Sequence, residues 1–195
     1  MSECAAIVLA AGASARLGQP KQLLQLHGET LLHRSARLAL EAGASPVVVV
    51  LGFQAAQMRK TLQDLDVLSV VNPKWSTGMG SSLRCGVEAI EKAQPERVLL
   101  LLSDQPYLSL GVLQSLLKLS RQSGAPVTAA RYADRLGVPA IFHRTLFAEL
   151  KAITGDTGAR LIIARDHQQS PFVDFPEGAF DLDTPEDLTH LRSRS

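Results

Sequence analysis

Residues 5–21 read AAIVLAAGASARLGQPK, an apolar run followed directly by small residues, glycines and two cations. The run 5–10 has no polar alternation, so it predicts a strand that is buried on both faces. The runs 47–51 and 98–102 have the same character. Helical patterns separate these runs, and this alternation predicts a doubly wound α/β domain, with a mostly parallel sheet and helices on both faces.

Short apolar runs and helical patterns continue to the end of the sequence. The other predicted strands span 67–71, 127–130, 140–142, 172–175 and 179–182. Predicted helices span 30–42, 53–65, 79–93, 109–120, 145–152 and 157–164, and a terminal helix begins at Thr184. No linker, repeat or low-complexity tract interrupts this order, so we expect residues 1–195 to form a single domain.

The composition excludes several classes of partner. Twenty basic residues are nearly balanced by nineteen acidic ones, and aromatic residues make up 5% of the chain. This balance provides neither the basic surface nor the stacking rings of a nucleic-acid binder. No run approaches the roughly 20 apolar residues of a membrane span, and the N-terminus lacks a basic signal region. We expect a cytoplasmic protein with a small anion as its charged partner.

The segment after the first strand predicts a phosphate site. Gly12 and Ser14 let main-chain N–H groups approach an anion closely, and Arg16 and Lys21 add positive charge. Gly18 is followed by Gln-Pro-Lys, so the segment is not a Walker A loop, and it contains no G-x-G-x-x-G. Together these residues are typical of a triphosphate cradle.

Two carboxylates follow predicted strands. Asp104 comes directly after the strand 98–102, and Asp183 lies in the acidic cluster 181–187. One or two carboxylates plus phosphate oxygens commonly hold Mg²⁺, so this pair is a candidate metal site. Each also has an ordinary structural interpretation: an Asp near Pro forms turns, and Asp183 or Thr184 can cap the terminal helix.

A second loop with small polar residues lies between a predicted strand and a predicted helix. Gly78 and Gly80 permit close backbone approach, and Ser81 and Ser82 offer donors at a helix start. These features suit recognition of an anion or a base edge. The alternative is a capped loop with Trp75 packed on the surface.

The segment LAAGASARLGQPK resembles the signature L-A-[AG]-G-x-S-x-R-[ML]-G-x-x-K of the nucleotidyltransferase superfamily that includes the molybdopterin nucleotidyltransferases. The resemblance covers nearly the whole chain and is closest to the molybdenum cofactor cytidylyltransferases. It implies that Arg16 and Lys21 contact the phosphates of an NTP. It also implies that Asp104, in a [GS]-D-x-P motif, and Asp183, in a [DN]-x-[DN]-T-P-E-D motif, hold a catalytic Mg²⁺.

The resemblance extends to the residues that would bind the two substrates. Arg16, Lys21 and Asp104 are the expected catalytic residues. The expected nucleotide-binding residues are Leu9, Ala10, Ala11, Gly12, Ser14, Arg16, Lys21, Gly78, Gly80, Ser81, Ser82 and Asp104. The expected acceptor-binding residues are Gly137, Pro139, Asp156 and Arg160, with Val138 where the family commonly has histidine.

The implied reaction is transfer of CMP from CTP to the phosphate of molybdopterin, with release of pyrophosphate. A phosphate monoester is largely dianionic near neutral pH, so this chemistry needs no general base. Ala11 gives the LAAG form usual in cytidylyl enzymes, whereas LAGG is typical of guanylyl enzymes. The alternatives are guanylyl transfer, transfer to a sugar or polyol phosphate, and a non-catalytic accessory protein of a molybdenum enzyme. A molybdenum hydroxylase or its chaperone is the expected protein partner.

Overall fold

The computed structural model describes residues 3–14, 18–165, 170–180, 182 and 187 of the chain. The strands of this part are β1 (Cys4–Ala10), β2 (Gln25–Leu26), β3 (Glu29–Thr30), β4 (Val47–Leu51), β5 (Leu68–Val71), β6 (Arg97–Leu102), β7 (Val127–Tyr132), β8 (Arg135–His143) and β9 (Phe172–Asp174). Its α-helices are α1 (Leu31–Glu41), α2 (Ala55–Lys60), α3 (Met79–Glu91), α4 (Leu110–Ser123), α5 (Phe147–Ala152) and α6 (Arg160–Arg165). Short 3-10 helices span Lys21–Leu23, Trp75–Thr77, Arg144–Leu146 and Pro176–Ala179.

The described strands form a seven-stranded sheet in the order β5-β4-β1-β6-β8-β7-β9, beside a small hairpin of β2 and β3. Strand β8 is antiparallel to both of its neighbours, and the remaining pairs of the large sheet are parallel. Strands β1 and β6 lie side by side at its centre, in a register that pairs Leu9 with Leu102. The order reverses direction at β1, so the carboxyl ends of β1 and β6 form the edge where ligands bind in open α/β sheets.

The sheet is covered by helices on both faces, as the sequence predicts. On β1, Ala6, Val8 and Ala10 pack in the cluster that includes side chains of α1, α2 and α4. Ala5, Ile7 and Leu9 pack on the opposite face with α3, α5 and α6. Because strand side chains alternate between the faces, a strand covered on both sides must be apolar throughout, which confirms the interpretation of the run 5–10.

Two predicted helices are shorter in the structure. The helix expected over 53–65 is confined to Ala55–Lys60, because Thr61 ends it by donating its hydroxyl to the Met58 carbonyl at 2.8 Å. The helix expected over 157–164 begins only at Arg160. Gly158 has a φ of +55°, which no helical residue adopts, so a helix cannot run through it.

Two predicted strands also differ. The strand expected over 140–142 is longer and runs from Arg135 to His143. The strand expected over 179–182 is not formed by the described residues, since a 3-10 helix ends at Ala179 and Phe180 and Leu182 lie outside any strand. The terminal helix predicted from Thr184 lies outside the described residues except for Asp187, which is helical. Among the described helices, none is both long and apolar enough to cross a membrane.

Candidate functional site

A cavity of about 480 Å³ opens at the carboxyl ends of β1 and β6. It brings together three segments that the sequence singles out: the loop after β1, the turn after β6 and the loop before α3. Its lining includes Leu9, Ala11, Gly12, Ser14, Lys21, Gly78, Ser82 and Asp104 from the predicted nucleotide-binding set. We call it the first cavity. Ala10 is buried at the end of β1 and is not part of its lining.

Lys21 and Asp104 meet in this cavity. The Lys21 Nζ lies 2.6 Å from the Asp104 Oδ2, and the two side chains keep 20% and 25% of their surface exposed. The turn that carries Asp104 is tied to β1 because Ser103 donates its hydroxyl and its main-chain N–H to the Leu9 carbonyl, at 3.1 Å and 3.3 Å. Adjacent parallel strands thus place a cation and a carboxylate side by side at the sheet edge.

The glycine-rich loop after β1 is held by Gln22, a residue that the sequence analysis did not identify. Gln22 is 3% exposed, and its Nε2 donates to the Gly12 carbonyl at 2.8 Å. Ser14 has a φ of +52°, and its Oγ accepts the Lys21 main-chain N–H at 3.2 Å. These bonds curl the loop back onto the 3-10 helix that carries Lys21. Arg16 lies outside the described residues.

Arg34 on α1 fixes the turn after Asp104, and it too was missed from sequence. Its Nη2 donates to the Leu108 carbonyl at 2.8 Å and its Nε to the Pro106 carbonyl at 3.3 Å. Glu29 accepts from Arg34 at 3.4 Å and from Arg37 at 2.6 Å. Hydrogen bonding from Arg37 lowers the pKa of Glu29 to about 2, so this anchor is ionised at any ordinary pH.

The loop before α3 is organised by Asn72, a third residue that is not among the expected site residues. Its Nδ2 donates to the Ser81 Oγ at 2.8 Å and to the Ser82 Oγ at 3.0 Å. Ser81 in turn donates to the carbonyl of Lys74 or Gly78, both at 2.9 Å, and does not line the cavity. Ser82 lines it, so the two serines have different surroundings.

The glycines of this loop approach another part of the backbone. A Cβ added to Gly78 would lie 2.5 Å from the Gly155 carbonyl carbon, and one added to Gly80 would lie 2.5 Å from the Ile153 oxygen. Gly80 also donates its N–H to the Gly155 carbonyl at 2.9 Å. Their small size is therefore required by the 153–156 segment. Gly78 lines the first cavity as well, whereas Gly80 is buried against that segment.

Trp75 lines the first cavity, with Ser76 and Met79 beside it. Its ring meets Phe53 edge to face, with centroids 5.7 Å apart. The side chain is half-buried rather than lying on the open surface. An aromatic wall of this kind offers a base a stacking surface.

A second cavity of about 230 Å³ adjoins the first. The two share Leu9, Met79, Leu102 and Asp156 in their linings. Three of the predicted acceptor-binding residues line it: Gly137, Asp156 and Arg160. The fourth, Pro139, is joined to Val138 by a cis peptide bond; it is buried and does not line the cavity. At the junction, Asp156 Oδ1 accepts the Met79 N–H at 3.3 Å.

The carboxylates of the first cavity fit a divalent cation. Within the described ranges, no group of three or more His, Cys, Asp or Glu side chains could form a cation cage by itself. Asp104 instead offers one partly exposed carboxylate, which suits an ion that takes its other ligands from phosphate oxygens and water. Asp183, the expected second ligand, lies outside the described residues.

Comparison with known proteins assigns a family to this arrangement. Residues 6–170 match the family described as the MobA-like NTP transferase domain. Nicotine blue oxidoreductase of Paenarthrobacter nicotinovorans is 34% identical, over 95% of this chain and 94% of its own. Molybdenum cofactor cytidylyltransferase of Escherichia coli is 25% identical, over 100% and 98%. Rv0371c of Mycobacterium tuberculosis, solved as a complex with manganese, superposes with a TM-score of 0.79 at 27% identity over the full length of both chains. The chain therefore belongs to the MobA-like NTP transferase domain family.

Proposed function

We propose that this chain transfers CMP from CTP to the phosphate of molybdopterin, with or without bound molybdenum, and releases pyrophosphate. The observation that carries the proposal is the Lys21–Asp104 pair, 2.6 Å apart, in a cavity that opens into a second one. Such a site has a place for a triphosphate and an adjoining place for an acceptor. The product would pass to a molybdenum hydroxylase or its chaperone.

The first cavity would hold the nucleotide. Main-chain N–H groups of the loop around Gly12 and Ser14 would bind phosphate oxygens, and Lys21 would neutralise the pyrophosphate as it leaves. Arg16 would add a second cation from the same loop. Ser82, Gly78 and the Trp75 ring would contact the nucleoside.

We expect Mg²⁺ to bind here, with Asp104 and, as the family resemblance implies, Asp183 as its protein ligands. When bound, the ion would supply charge neutralisation for the polyphosphate. Asp104 and Lys21 contact each other in the structure, so the carboxylate also orients the lysine ammonium towards the cavity. Manganese in the Rv0371c complex supports a divalent ion in this fold.

The second cavity would hold the acceptor. Its phosphate would point through the junction at Asp156, towards the first cavity, and would attack the α-phosphorus of CTP as a dianion. Alignment of the two substrates then accounts for most of the catalysis. A guanylyl transfer or a sugar or polyol phosphate acceptor would use the same cavities.

One relative favours a second candidate. Nicotine blue oxidoreductase is named for a redox reaction, and it is 34% identical over nearly the whole chain. An oxidoreductase, with its substrate in the two adjoining cavities, is therefore the alternative. A non-catalytic accessory protein would bind the nucleotide in the same place without turnover.

Pyrophosphate release separates these functions. The purified chain is mixed with Mg²⁺ and each of the four NTPs, with and without molybdopterin and molybdate. We expect release that depends on molybdopterin and is strongest with CTP. Release with GTP alone would contradict the base assignment, and no release with any NTP would favour the oxidoreductase or the accessory protein.

Asp104→Ala tests the central residue of the site. We expect turnover to fall by at least about a hundredfold, because the variant loses the carboxylate that holds the metal and orients Lys21. Asp174→Ala is the matched control, since it breaks an exposed salt bridge to Arg131, and neither residue lines either cavity. A loss of only a few fold in Asp104→Ala would contradict the assigned role.

A further inference from the structure

Two arginines of the second cavity differ from most others in the chain. Within the described part of the chain, the side chains of Arg135 and Arg160 make no hydrogen bond or salt bridge, and Arg144 is the third such arginine. Other arginines each bond to a carboxylate or a carbonyl, among them Arg34, Arg37, Arg84 and Arg131. Arg135 and Arg160 both line the second cavity. An unpaired guanidinium presents a full set of donors to a ligand.

The fold brings these two side chains to one cavity from separate elements. Strand β8 pairs antiparallel with β6 up to Ala140 and Leu100, and β6 ends at Leu102, so the start of β8 at Arg135 continues past the carboxyl end of β6. Arg135 is the first residue of β8, and Arg160 is the first residue of α6. Their common cavity is therefore formed at the same sheet edge as the first one.

The surroundings strengthen attraction for an anion. Most of the other lining side chains are apolar, among them Leu100, Leu136 and Ile163. Asp156 is the one acidic residue among the described lining residues, so two positive charges face a single negative one. Both arginines are exposed, and two like charges at one cavity attract an anion.

Neither arginine lines the first cavity, where the triphosphate and the reacting phosphate would meet. On the basis of the proposed function, we propose that Arg135 and Arg160 form a subsite for a second anionic group of the acceptor, separate from the phosphate that reacts. The substrate class is then a phosphate monoester that carries a second anionic group apart from the phosphate that reacts. Simple sugar and polyol phosphates lack that second anionic group, so the subsite discriminates against them.

The kinetic test uses Arg135→Gln, Arg160→Gln and the double variant. A charge-assisted hydrogen bond lost from a binding site weakens affinity by roughly tenfold or more. We expect the KM for molybdopterin to rise about tenfold in each single variant and further in the double variant, while the KM for CTP stays unchanged. Arg144→Gln is the matched control, since it removes the same charge from an exposed arginine outside both cavities. Equal KM values for molybdopterin in all variants would overturn the subsite.

A binding measurement makes the subsite testable without turnover. Sodium sulfate is titrated against the protein saturated with Mg²⁺ and CTP, with sodium chloride at equal ionic strength as reference, and the melting temperature is recorded. We expect a saturable stabilisation in the wild type and in Arg144→Gln that is lost in the double variant. The same stabilisation in all three proteins would refute the subsite. If the wild type turns over no acceptor and yet shows the saturable effect, the proposed function fails and the anion subsite stands.

Discussion

Replacing Gly12 by Ala tests whether the loop after β1 binds the triphosphate. The φ of Gly12 lies outside the left-handed region, and a Cβ added there meets no heavy atom within 4 Å. The fold therefore has room for the methyl group. Since alanine also restricts the unfolded chain, we expect the free energy of unfolding to stay the same or to rise by up to about 1 kcal/mol.

The same methyl group would occupy space in the first cavity, which Gly12 lines. It would keep a phosphate from approaching the main-chain N–H groups of the loop. Loss of one charge-assisted hydrogen bond weakens binding by about 1.5–3 kcal/mol. This corresponds to a rise of roughly 10- to 150-fold in the KM for CTP.

Gly111→Ala is the matched control for this variant. Gly111 lies in α4, and its nearest neighbour to an added Cβ is the Ser109 Oγ at 3.9 Å. The substitution stabilises a helix by up to about 1 kcal/mol and leaves the cavity unchanged. Pyrophosphate release gives the KM, and urea unfolding gives the stability. A Gly12→Ala variant that matches Gly111→Ala in KM would show that the loop does not contact the triphosphate.

Three further changes probe the same site and its support. Lys21→Met should lower the rate of pyrophosphate release by about a hundredfold or more, with little loss of stability, because it removes a partly exposed cation beside Asp104. Gln22→Leu should lower the free energy of unfolding by about 0.5–1.5 kcal/mol in urea and also raise the KM for CTP, since the loop loses the hydrogen bond from Gln22 to the Gly12 carbonyl. Hydrogen bonds to Glu29 and a second carboxylate outweigh burial and raise the pKa of His33 from 6.5. Protonated His33 therefore stabilises the fold, and the stability advantage of the wild type over His33→Gln should be greatest below pH 6.5 and shrink as the pH rises through the raised pKa of His33.

The central sheet could be predicted from the sequence because its strands are continuously apolar. Strands β1, β4 and β6 are covered on both faces, and a parallel sheet between two helix layers buries such runs. Strand β8 is three times the predicted length. The prediction missed its first half because Arg135 and Pro139 break the apolar pattern there. Its register with β7 comes from the hairpin between them.

The meeting of Lys21 with Asp104 follows from the same pattern, since loops after neighbouring parallel strands share one edge. The supporting residues could not be found in this way. Gln22, Arg34 and Asn72 act by bonding to main-chain or hydroxyl groups that only the folded chain brings close. The local hydrophobic pattern of a sequence does not show which distant group a polar side chain will bond to in the folded protein.

Transfer of label from the two ends of the triphosphate tests the central claim most directly. The protein, Mg²⁺ and molybdopterin are incubated with CTP labelled at the α-phosphorus or at the γ-phosphorus, and the acceptor is separated from pyrophosphate. We predict that the α-label appears in the acceptor and the γ-label in pyrophosphate, in equal amounts. A γ-label in the acceptor, or no label transferred from any NTP, would contradict nucleotidyl transfer at the Lys21–Asp104 site.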